Sequence, residues 1–333
     1  MIEAIAKVVK CQNLTEDEAA GAFEIIIRGD ATPAQIAGFL VALRMKGETV
    51  DEITGFARTA RAMATPIEVG GALLDTCGTG GDGLATFNIS TLSAIVAAAC
   101  GARVAKHGNR AASSLCGSAD VLEQLGVKID LAPEGVARCI DEVGIGFMFA
   151  PVFHPSFRFA GVPRRELGLR TVFNVLGPLC NPAGARYQAL GVADAAMAGK
   201  MAEVLVRLGV ERAIVFHAVD GMDELSVASP SFVIEIDGER KEYELDPAEL
   251  GLKRAPLESM RGGGPEENAR LAREVLGGAK GARRDVVLLN TAAALRAAGI
   301  AHDWRDGLGQ AAEAIDSGRA GEVLQRWATT SQA

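Results

Sequence analysis

The first 65 residues carry a pattern of apolar and polar positions typical of helices, without the period-two alternation that indicates a strand. Three capping boxes divide this region, because a threonine is followed three residues later by Glu or Gln at Thr15 with Glu18, Thr32 with Gln35, and Thr49 with Glu52. Gly29 and Gly47 stand where the first two helices would end. The pattern predicts three short helices, packed as a small helical domain over residues 1–66.

From Gly70 onward, short apolar runs typical of buried strands alternate with helical patterns. The expected strands cover residues 72–74, 102–105, 127–131, 145–149, 187–192 and 213–216. The expected helices cover residues 92–100, 119–125, 133–143 and 195–208. Such alternation predicts a mostly parallel central sheet with helices on both faces. The predicted fold class is therefore α/β, with a small N-terminal helical domain and a larger α/β domain.

Some later segments depart from this alternation. Residues 163–179 have a helical pattern, and residues 231–245 read as a hairpin around the turn Asp237-Gly238. The C-terminal third is helical, with three glycines at 262–264 as a loop before a helix at Pro265. Residues 285–290 fit a strand and a helix equally well.

The charge of the chain is −8 at pH 7, which argues against non-specific binding to nucleic acid. The basic residues are nevertheless concentrated in the middle of the sequence. They are Lys106, His107, Arg110, Arg158, Arg164, Arg165 and Arg170. A local positive pocket in an acidic protein indicates a small anionic ligand.

Six cysteines are scattered without a Cys-x-x-Cys pair, which favours buried thiols in a reducing compartment over a disulfide framework. Residues 1–10 lack the apolar core of a signal peptide, and no 18 apolar residues run together. We therefore expect a soluble, cytoplasmic protein.

The most informative stretch is the run 75–91, in which Gly78, Gly80, Gly81 and Gly83 fall within six positions. An apolar run precedes these glycines and an apolar helix follows them. A sharp turn in this setting leaves backbone N–H groups free and points them at one spot beside the positive end of the helix. The run therefore predicts a phosphate-binding loop, with a purely structural turn as the alternative.

The glycine spacing matches the dinucleotide fingerprint, but its surroundings do not. The fingerprint requires an acidic residue about 20 positions further on, where this chain has Arg103 and Lys106. Gly83 lies five residues before the expected helix cap Asn88, and Asp82 would repel a bare pyrophosphate. A Walker loop is also excluded, because no Gly-Lys-Ser/Thr follows.

A carboxylate inside an anion site is favourable when the ligand brings its own cations or sugar hydroxyls. Asp82 could then accept from ribose hydroxyls or from water bound to Mg²⁺. Asn88, Ser90 and Thr91 add amide and hydroxyl groups at the start of the helix. A phosphorylated sugar with a Mg²⁺-bound diphosphate fits this set of groups.

A basic turn at residues 106–110 also follows a predicted strand, so we expect it at the same sheet edge as the glycine loop. Lys106 is a candidate point charge for phosphate. The serines after the turn, Ser113, Ser114 and Ser118, are candidate donors to it. The alternative is a solvated basic turn without function.

Asp223 and Glu224 form an acidic pair that again follows a strand. Considered alone, they are most simply the negative charge that stabilises a helix N-terminus. Mg²⁺ offers a second interpretation, because it binds one or two carboxylates together with substrate phosphates.

Taken in order, five motifs resemble the anthranilate phosphoribosyltransferase family: the helical start, the glycine loop with its Asn-Ile-Ser-Thr, the Lys-His-Gly-Asn-Arg turn, Arg-Glu-Leu-Gly continuing to Asn-Pro-Ala, and Asp-Gly-x-Asp-Glu. The resemblance implies a nucleoside phosphorylase/phosphoribosyltransferase-like fold. It implies transfer of a phosphoribosyl group from its diphosphate to anthranilate in tryptophan biosynthesis, with release of pyrophosphate. It also implies that residues 163–180 return to the helical domain, that residues 70–162 and 181–333 form the donor-binding domain, and that the chain dimerises through its helices.

The same resemblance implies the roles of individual residues. The catalytic set is Lys106, His107 and Arg164, in which His107 has a positional role or a structural one. The acceptor is held by Gly78, Asn109 and Arg164. Mg²⁺, as two ions that accompany the donor, is held by Ser90, Asp223 and Glu224. The donor is held by Gly78, Thr79, Gly81, Asp82, Thr86, Asn88, Ser90, Thr91, Lys106, Asn109, Ser113, Ser114 and Ser118.

The chain departs from the family pattern at Phe159, where a histidine is usual, at Pro163, and at Leu115-Cys116. The first two adjoin the expected acceptor pocket. One alternative function is a pyrimidine-nucleoside phosphorylase of the same fold, which would bind inorganic phosphate. Another is a non-catalytic, nucleic-acid-binding relative, which we expect to be basic and to lack an intact glycine loop and acidic pair.

Overall fold

The structure, a computed structural model, describes residues 1–111 and 114–333. Residues 1–66, all of them described, form four helices: α1 (Ile2–Val9), α2 (Glu16–Arg28), α3 (Pro33–Lys46) and α4 (Val50–Ala62). The three capping boxes form as predicted, and Gly29 and Gly47 end α2 and α3. The prediction of three helices was wrong by one, because α1 begins at Ile2 after Met1, which forms no side-chain cap that could mark the start of the helix.

A seven-stranded sheet forms the centre of the rest of the chain, in the spatial order β3-β2-β1-β4-β5-β6-β7. The first five strands in chain order pair in parallel, and β6 and β7 form an antiparallel hairpin at one edge. The strands are β1 (Leu74–Gly78), β2 (Val104–Gly108), β3 (Ile145–Phe149), β4 (Tyr187–Gly191), β5 (Arg212–Ala218), β6 (Ser231–Asp237) and β7 (Glu239–Leu245). The predicted mostly parallel sheet and the predicted hairpin are both confirmed.

Helices cover both faces of this sheet. They are α5 (Ile89–Ala99), α6 (Ser118–Gln124), α7 (Pro133–Val143), α8 (Ala150–Phe153), α9 (Gly161–Leu167), α10 (Phe173–Leu176), α11 (Ala195–Arg207), α12 (Pro265–Leu276), α13 (Ala282–Ala297), α14 (Trp304–Asp316) and α15 (Arg319–Gln332). Short 3₁₀ turns occupy Pro155–Ala160, Gly177–Leu179, Pro247–Leu250 and Leu257–Met260. In the part of the chain that the structure describes, no helix combines the length and apolarity needed to cross a membrane.

Several predicted elements differ from the structure. The strand expected at 127–131 is irregular, although Val127 and Ile129 are buried, because the backbone N–H of Lys128 donates to Ser331 Oγ (2.9 Å) instead of to a neighbouring strand. The helix expected at 163–179 is interrupted after α9, where Gly168 adopts a left-handed conformation. The undecided residues 285–290 lie inside α13.

The helical bundle shares a buried apolar core with one face of the sheet. Phe23 and Phe56 belong to the same cluster as Leu190 of β4 and Val215 of β5. Phe173 of α10 also joins this cluster, with its ring 5.3 Å from that of Phe23. The segment between β3 and β4 therefore packs against the N-terminal helices. This packing positions the side chains of the segment over the sheet edge.

Candidate active site

Three chain segments meet at one edge of the sheet. β1, β2 and β5 run in the same direction, so their carboxyl ends at Gly78, Gly108 and Ala218 lie on the same side. The glycine loop leaves β1, the basic turn leaves β2, and the acidic pair follows β5. This edge is where parallel α/β sheets bind ligands, and the structure brings all three predicted segments to it.

The glycine loop is held in a conformation that few residues other than glycine tolerate. Gly80, Gly81 and Gly83 have φ angles of +68°, +76° and +74°. At Gly81 a Cβ atom would lie 1.4 Å from Nη1 of Arg170, whose guanidinium donates to the carbonyl oxygen of Gly80 (2.6 Å). A side chain at Gly81 is therefore excluded both by backbone strain and by this contact.

The acidic pair bonds directly to the glycine loop and its helix. Asp223 Oδ2 accepts from the backbone nitrogen of Gly80 (2.6 Å), and Glu224 Oε1 accepts from that of Ser90 (2.9 Å). Gly78 is in the same contact, since a Cβ there would be 2.2 Å from Asp223 Oδ2. Two adjacent carboxylates, far from the glycine loop in sequence, thus accept from one N–H of the predicted phosphate-binding loop and one of the helix that follows it.

Burial and mutual repulsion raise the pKa of both carboxyls. For Asp223 the main cause is burial, and the second is the negative charge of Asp82. For Glu224 burial is again the main cause, followed by the charge of Asp223, while Lys106 acts in the opposite sense. Because a like charge nearby disfavours ionisation, a cation bound beside these acids would favour their charged forms.

The same groups fit Mg²⁺. Asp82 Oδ2 is buried and has no hydrogen-bond partner among the described residues. The described residues hold no preformed cluster of three metal-binding side chains, so the ion would need further oxygens from the ligand. Mg²⁺ sites with one or two carboxylates and substrate phosphates have this character.

Lys106 points under the sheet edge and not outward. It is 2% exposed, and its ammonium group donates to the carbonyl oxygen of Thr76 (2.5 Å). Its charge lowers the pKa of the neighbouring carboxyls of Asp75 and Glu224, although burial outweighs it at both. Lys106 therefore provides buried positive charge next to β1 and close enough to Glu224 to act on its carboxyl.

His107 is also buried. Its Nδ1 pairs with the carbonyl oxygen of Gly177 (3.1 Å), and its ring lies 5.0 Å from that of His154, which pairs with Cys180 in the same segment. Burial lowers the pKa of His107 to about 4 and that of His154 to about 3. Both rings are therefore neutral at pH 7 and tie the 177–180 segment to the site.

Arg164 has a half-buried guanidinium that lies over the ring of Phe173, 4.8 Å from its centroid. Burial lowers its pKa. Among the described residues it forms no ion pair. An arginine fork held in place by an aromatic ring and left without a carboxylate is suited to bind one from a ligand.

Several predicted hydroxyl and amide groups are already engaged. Thr79 Oγ1 accepts from Ala193 N (3.1 Å), Ser118 Oγ donates to Asn109 O (3.3 Å), and Asn109 Oδ1 accepts from Arg110 N (2.8 Å). Thr86 pairs through its backbone with Arg261.

Other predicted residues have different surroundings. The hydroxyl of Thr91 is buried without a partner in the described residues, and Ser114 is exposed. The predicted Ser113 lies outside the described residues. Phe159, one of the expected departures from the family pattern, packs its ring against Gly29 and beneath Arg158.

Arg170 belongs to the site although the sequence alone indicates no role for it. It lies between α9 and α10, on the segment that packs against the helical bundle, yet its side chain touches the glycine loop. Its place in the basic cluster was the only signal in the sequence. Its positive charge also lowers the pKa of Asp223 against the larger effect of burial.

Comparison with known families covers nearly the whole chain. Residues 2–64 match the helical bundle domain of a glycosyl transferase family, and residues 70–321 match its a/b domain. The anthranilate phosphoribosyltransferase 2 of Streptomyces coelicolor is 60% identical over 320 residues, covering 96% of both chains. The anthranilate phosphoribosyltransferase of Roseiflexus castenholzii is 55% identical over 332 residues, covering 99% of this chain and 98% of the relative.

Solved structures agree with these relatives. Anthranilate phosphoribosyltransferase from Thermus thermophilus superimposes with a TM-score of 0.94, with 48% identity and 99% of both chains covered. The enzyme from Saccharomyces cerevisiae in complex with PRPP and Mg has a TM-score of 0.90 at 28% identity, covering 99% of this chain and 97% of that one. The same yeast enzyme in complex with 4-fluoroanthranilate has a TM-score of 0.88, with the same identity and coverage.

Proposed function

The chain belongs to the anthranilate phosphoribosyltransferases of this glycosyl transferase family, and we infer from this how its own residues perform the reaction. The enzyme transfers the 5-phosphoribosyl group from phosphoribosyl diphosphate to anthranilate, giving N-(5-phosphoribosyl)anthranilate and pyrophosphate in tryptophan biosynthesis. One observation supports our assignment of roles most strongly: Asp223 and Glu224 bond to the glycine loop and its helix at the edge where Lys106 supplies positive charge.

The donor lies with its diphosphate against the glycine loop and its 5-phosphate toward the basic turn. Within the loop, the N–H of Thr79 donates to Gly191 and that of Gly80 to Asp223, so Gly81 and Asp82 present their N–H groups to the donor. Helix α5 adds its N-terminal end with Asn88, Ser90 and Thr91. Groups fixed before the substrate arrives stabilise charge that develops on the leaving diphosphate without further reorganisation. Lys106 contributes positive charge from its contact with Thr76, and Arg170 from its contact with Gly80.

Ser90, Asp223 and Glu224 would hold Mg²⁺, as two ions that accompany the diphosphate. When bound, Mg²⁺ neutralises charge on the leaving group. The residues of the chain prepare that place, because the buried acids face one another and repel until a cation is present.

The acceptor lies on the other side of the ribose. The fork of Arg164, which pairs with no carboxylate among the described residues, binds the anthranilate carboxylate. Gly78 and Asn109 hold the ring in line with C1 of the ribose. C1 passes through an oxocarbenium-like state, as in glycoside chemistry. The arylamine nitrogen is unprotonated at neutral pH, so His107 is not needed as a base. It orients the 177–180 segment through Gly177.

The helical bundle forms the contact between two copies of the chain. Ile2, Val9 and Met45 are exposed by 73%, 64% and 83%, and they lie on α1 and α3, which pack on one another. Apolar side chains exposed so strongly on neighbouring helices mark an interaction surface. Sedimentation should give a dimer for the wild type and a monomer for Met45→Glu. A monomeric wild type at micromolar concentration contradicts this assignment.

We place the enzyme in the cytoplasm. Its six cysteines are Cys11, Cys77, Cys100, Cys116, Cys139 and Cys180, and all are free thiols. Free thiols are typical of a reducing compartment.

A transfer assay tests the activity. Anthranilate fluorescence should fall when enzyme, phosphoribosyl diphosphate and Mg²⁺ are combined, and should stay constant when inorganic phosphate and a pyrimidine nucleoside replace the two substrates. Phosphorolysis of the nucleoside with no loss of anthranilate would instead identify a nucleoside phosphorylase.

A further inference from the structure

A buried asparagine outside every motif discussed so far lies at the centre of a hydrogen-bond relay. Asn268 is in the first turn of α12 and is 2% exposed. Its Oδ1 accepts from the backbone nitrogen of Gly263 (2.8 Å), and its Nδ2 donates to Asn88 Oδ1 (2.9 Å). Nδ2 of Asn88 then donates to the carbonyl oxygen of Cys116 (3.1 Å). Two amides thus connect three separate segments.

The direction of this relay is fixed at both ends. Gly263 contributes a backbone N–H, which can only donate, and Cys116 contributes a carbonyl, which can only accept. Between them, each amide must present its oxygen toward Gly263 and its nitrogen toward Cys116. Rotating either amide by 180° would oppose two acceptors or two donors. The relay therefore holds Asn88 in one orientation.

The same region clamps the C-terminal end of the glycine loop by backbone contacts. Gly262 N donates to Ala85 O (2.9 Å), and Phe87 N donates to Met260 O (3.0 Å). Ala85 has φ +51°, an uncommon conformation for a residue with a side chain. At Gly262 a Cβ would lie 2.5 Å from Asn268 Oδ1 and 2.7 Å from the Cα of Phe87, so the two chains pack backbone to backbone.

We propose that Asn268 is a positioning residue for donor binding, because it holds the end of the glycine loop and the side chain of Asn88 in their ligand-ready arrangement through the Gly263–Asn268–Asn88–Cys116 relay. The proposal rests on the donor site described above. Asp223 anchors the loop at its beginning through Gly80, and the relay anchors it at its end. A loop held at one end only loses more conformational freedom when it binds the donor, which weakens binding.

The consequence is a selective effect on the donor. Arg164, to which we assign the acceptor carboxylate, lies on α9 and does not touch the relay. Loss of the relay should therefore raise KM for phosphoribosyl diphosphate and leave KM for anthranilate unchanged. Removing one buried hydrogen bond and leaving its partner unsatisfied changes a binding constant by about tenfold.

The experiment compares Asn268→Ala and the isosteric Asn268→Asp with Tyr243→Phe in the intact enzyme. The aspartate substitution would place an acceptor against Asn88 Oδ1, so it breaks the relay without leaving a cavity. The control also removes two partly buried hydrogen bonds, because the Tyr243 hydroxyl donates to Glu235 and accepts from Trp304. These bonds lie on the distant hairpin. Circular dichroism and thermal melting establish that each variant is folded.

Both Asn268 variants should raise KM for the donor about tenfold over Tyr243→Phe, with kcat changed less and KM for anthranilate within about twofold of wild type. Hydrogen exchange of amides 80–91 should be faster in both without any ligand. If the wild type is active and both folded variants keep the donor KM and the exchange rates of the control, the proposal is overturned. A wild type without transferase activity would instead refute the donor site itself.

Discussion

The carboxylate of Asp223 lies 2.6 Å from the backbone nitrogen of Gly80, joining two segments that are 143 positions apart in the sequence. The contact places a negative charge where a phosphate-binding loop offers its N–H groups. A bare anion would be repelled by this arrangement, whereas a diphosphate that carries cations satisfies both the acids and the loop. This contact supports our proposal that the site takes a metal-bound diphosphate.

Neutralising the acidic pair should separate activity from stability. We expect Asp223→Asn and Glu224→Gln each to lower kcat by at least about 100-fold, the loss seen when a charge-stabilising group is removed from an active site. Burial raises the pKa of both carboxyls, so ionisation destabilises the fold as the pH rises from the unfolded values toward about 7 for Asp223 and about 8 for Glu224. The neutral variants should therefore melt at a higher temperature than wild type at pH 8 without metal.

Glu239→Gln removes one charge from an exposed side chain and is the matched control. It should change neither kcat nor the melting temperature. Folded variants with wild-type kcat would contradict the role of the pair.

Arg164 should govern the acceptor alone. Arg164→Ala is expected to raise KM for anthranilate by about 10- to 100-fold, because a hydrogen-bonded ion pair to the substrate is lost. Arg164→Lys should recover only part of this, since an ammonium group cannot form the bidentate contact. Steady-state kinetics with each substrate varied in turn give the test, with the exposed neighbour Arg165→Ala as control. A rise in the donor KM instead would show that Arg164 serves the other substrate.

Gly81 and Arg170 should behave as a coupled pair. Gly81→Ala places a methyl group in the position of the Arg170 guanidinium and strains a backbone with φ +76°, so we expect a loss of donor binding. In the Gly81→Ala/Arg170→Ala double variant the collision is absent, and the backbone strain and the loss of the Arg170 charge remain. Donor KM measured for the four proteins should therefore show a double variant that is less impaired than the sum of the two single changes. Strict additivity would mean that the contact is unimportant.

The buried histidines predict a loss of stability in acid. The pKa of His154 is lowered by burial to about 3, from 6.5 in an unfolded chain. Because the folded protein favours the neutral form of His154, its contribution to the free energy of unfolding is fully present above pH 6.5. That contribution is lost as the pH falls toward 3. At pH 5 the loss is about 2 kcal/mol, from roughly 1.5 pH units at about 1.4 kcal/mol each.

The measurement for His154 is the free energy of unfolding of wild type and His154→Gln from pH 5 to 8. Glutamine keeps an amide donor for Cys180 but takes up no proton. The wild type should lose about 2 kcal/mol more than the variant between pH 7 and pH 5. Parallel curves would show that His154 does not titrate as described.

Features encoded by neighbouring residues could be predicted from the sequence. The capping boxes at Thr15, Thr32 and Thr49 depend on residues three positions apart, and all three form. The hairpin turn at Gly238 is equally local. Helix α1 was missed because it has no such box. The run 127–131 was read as a strand because of its apolar residues. Those side chains are buried, as they would be in a strand, but no strand among the described residues pairs with the run.

The meeting of distant loops at one sheet edge could be predicted, but the individual side-chain contacts between them could not. The glycine loop, basic turn and acidic pair were expected at one edge because parallel strands align their ends. Nothing local indicates that Lys106 bonds to the carbonyl of Thr76, that Arg170 crosses from the helical segment to Gly80, or that Asn268 meets Asn88. These depend on the packing of α9, α10 and α12 against the sheet.

A crystal of the enzyme with phosphoribosyl diphosphate and Mg²⁺ tests the central claim most directly. We predict density for the diphosphate against the amides of the glycine loop, with Mg²⁺ beside Asp223 and Glu224 and the 5-phosphate at the basic turn after β2. Density for the donor at a position remote from all three segments would contradict the account.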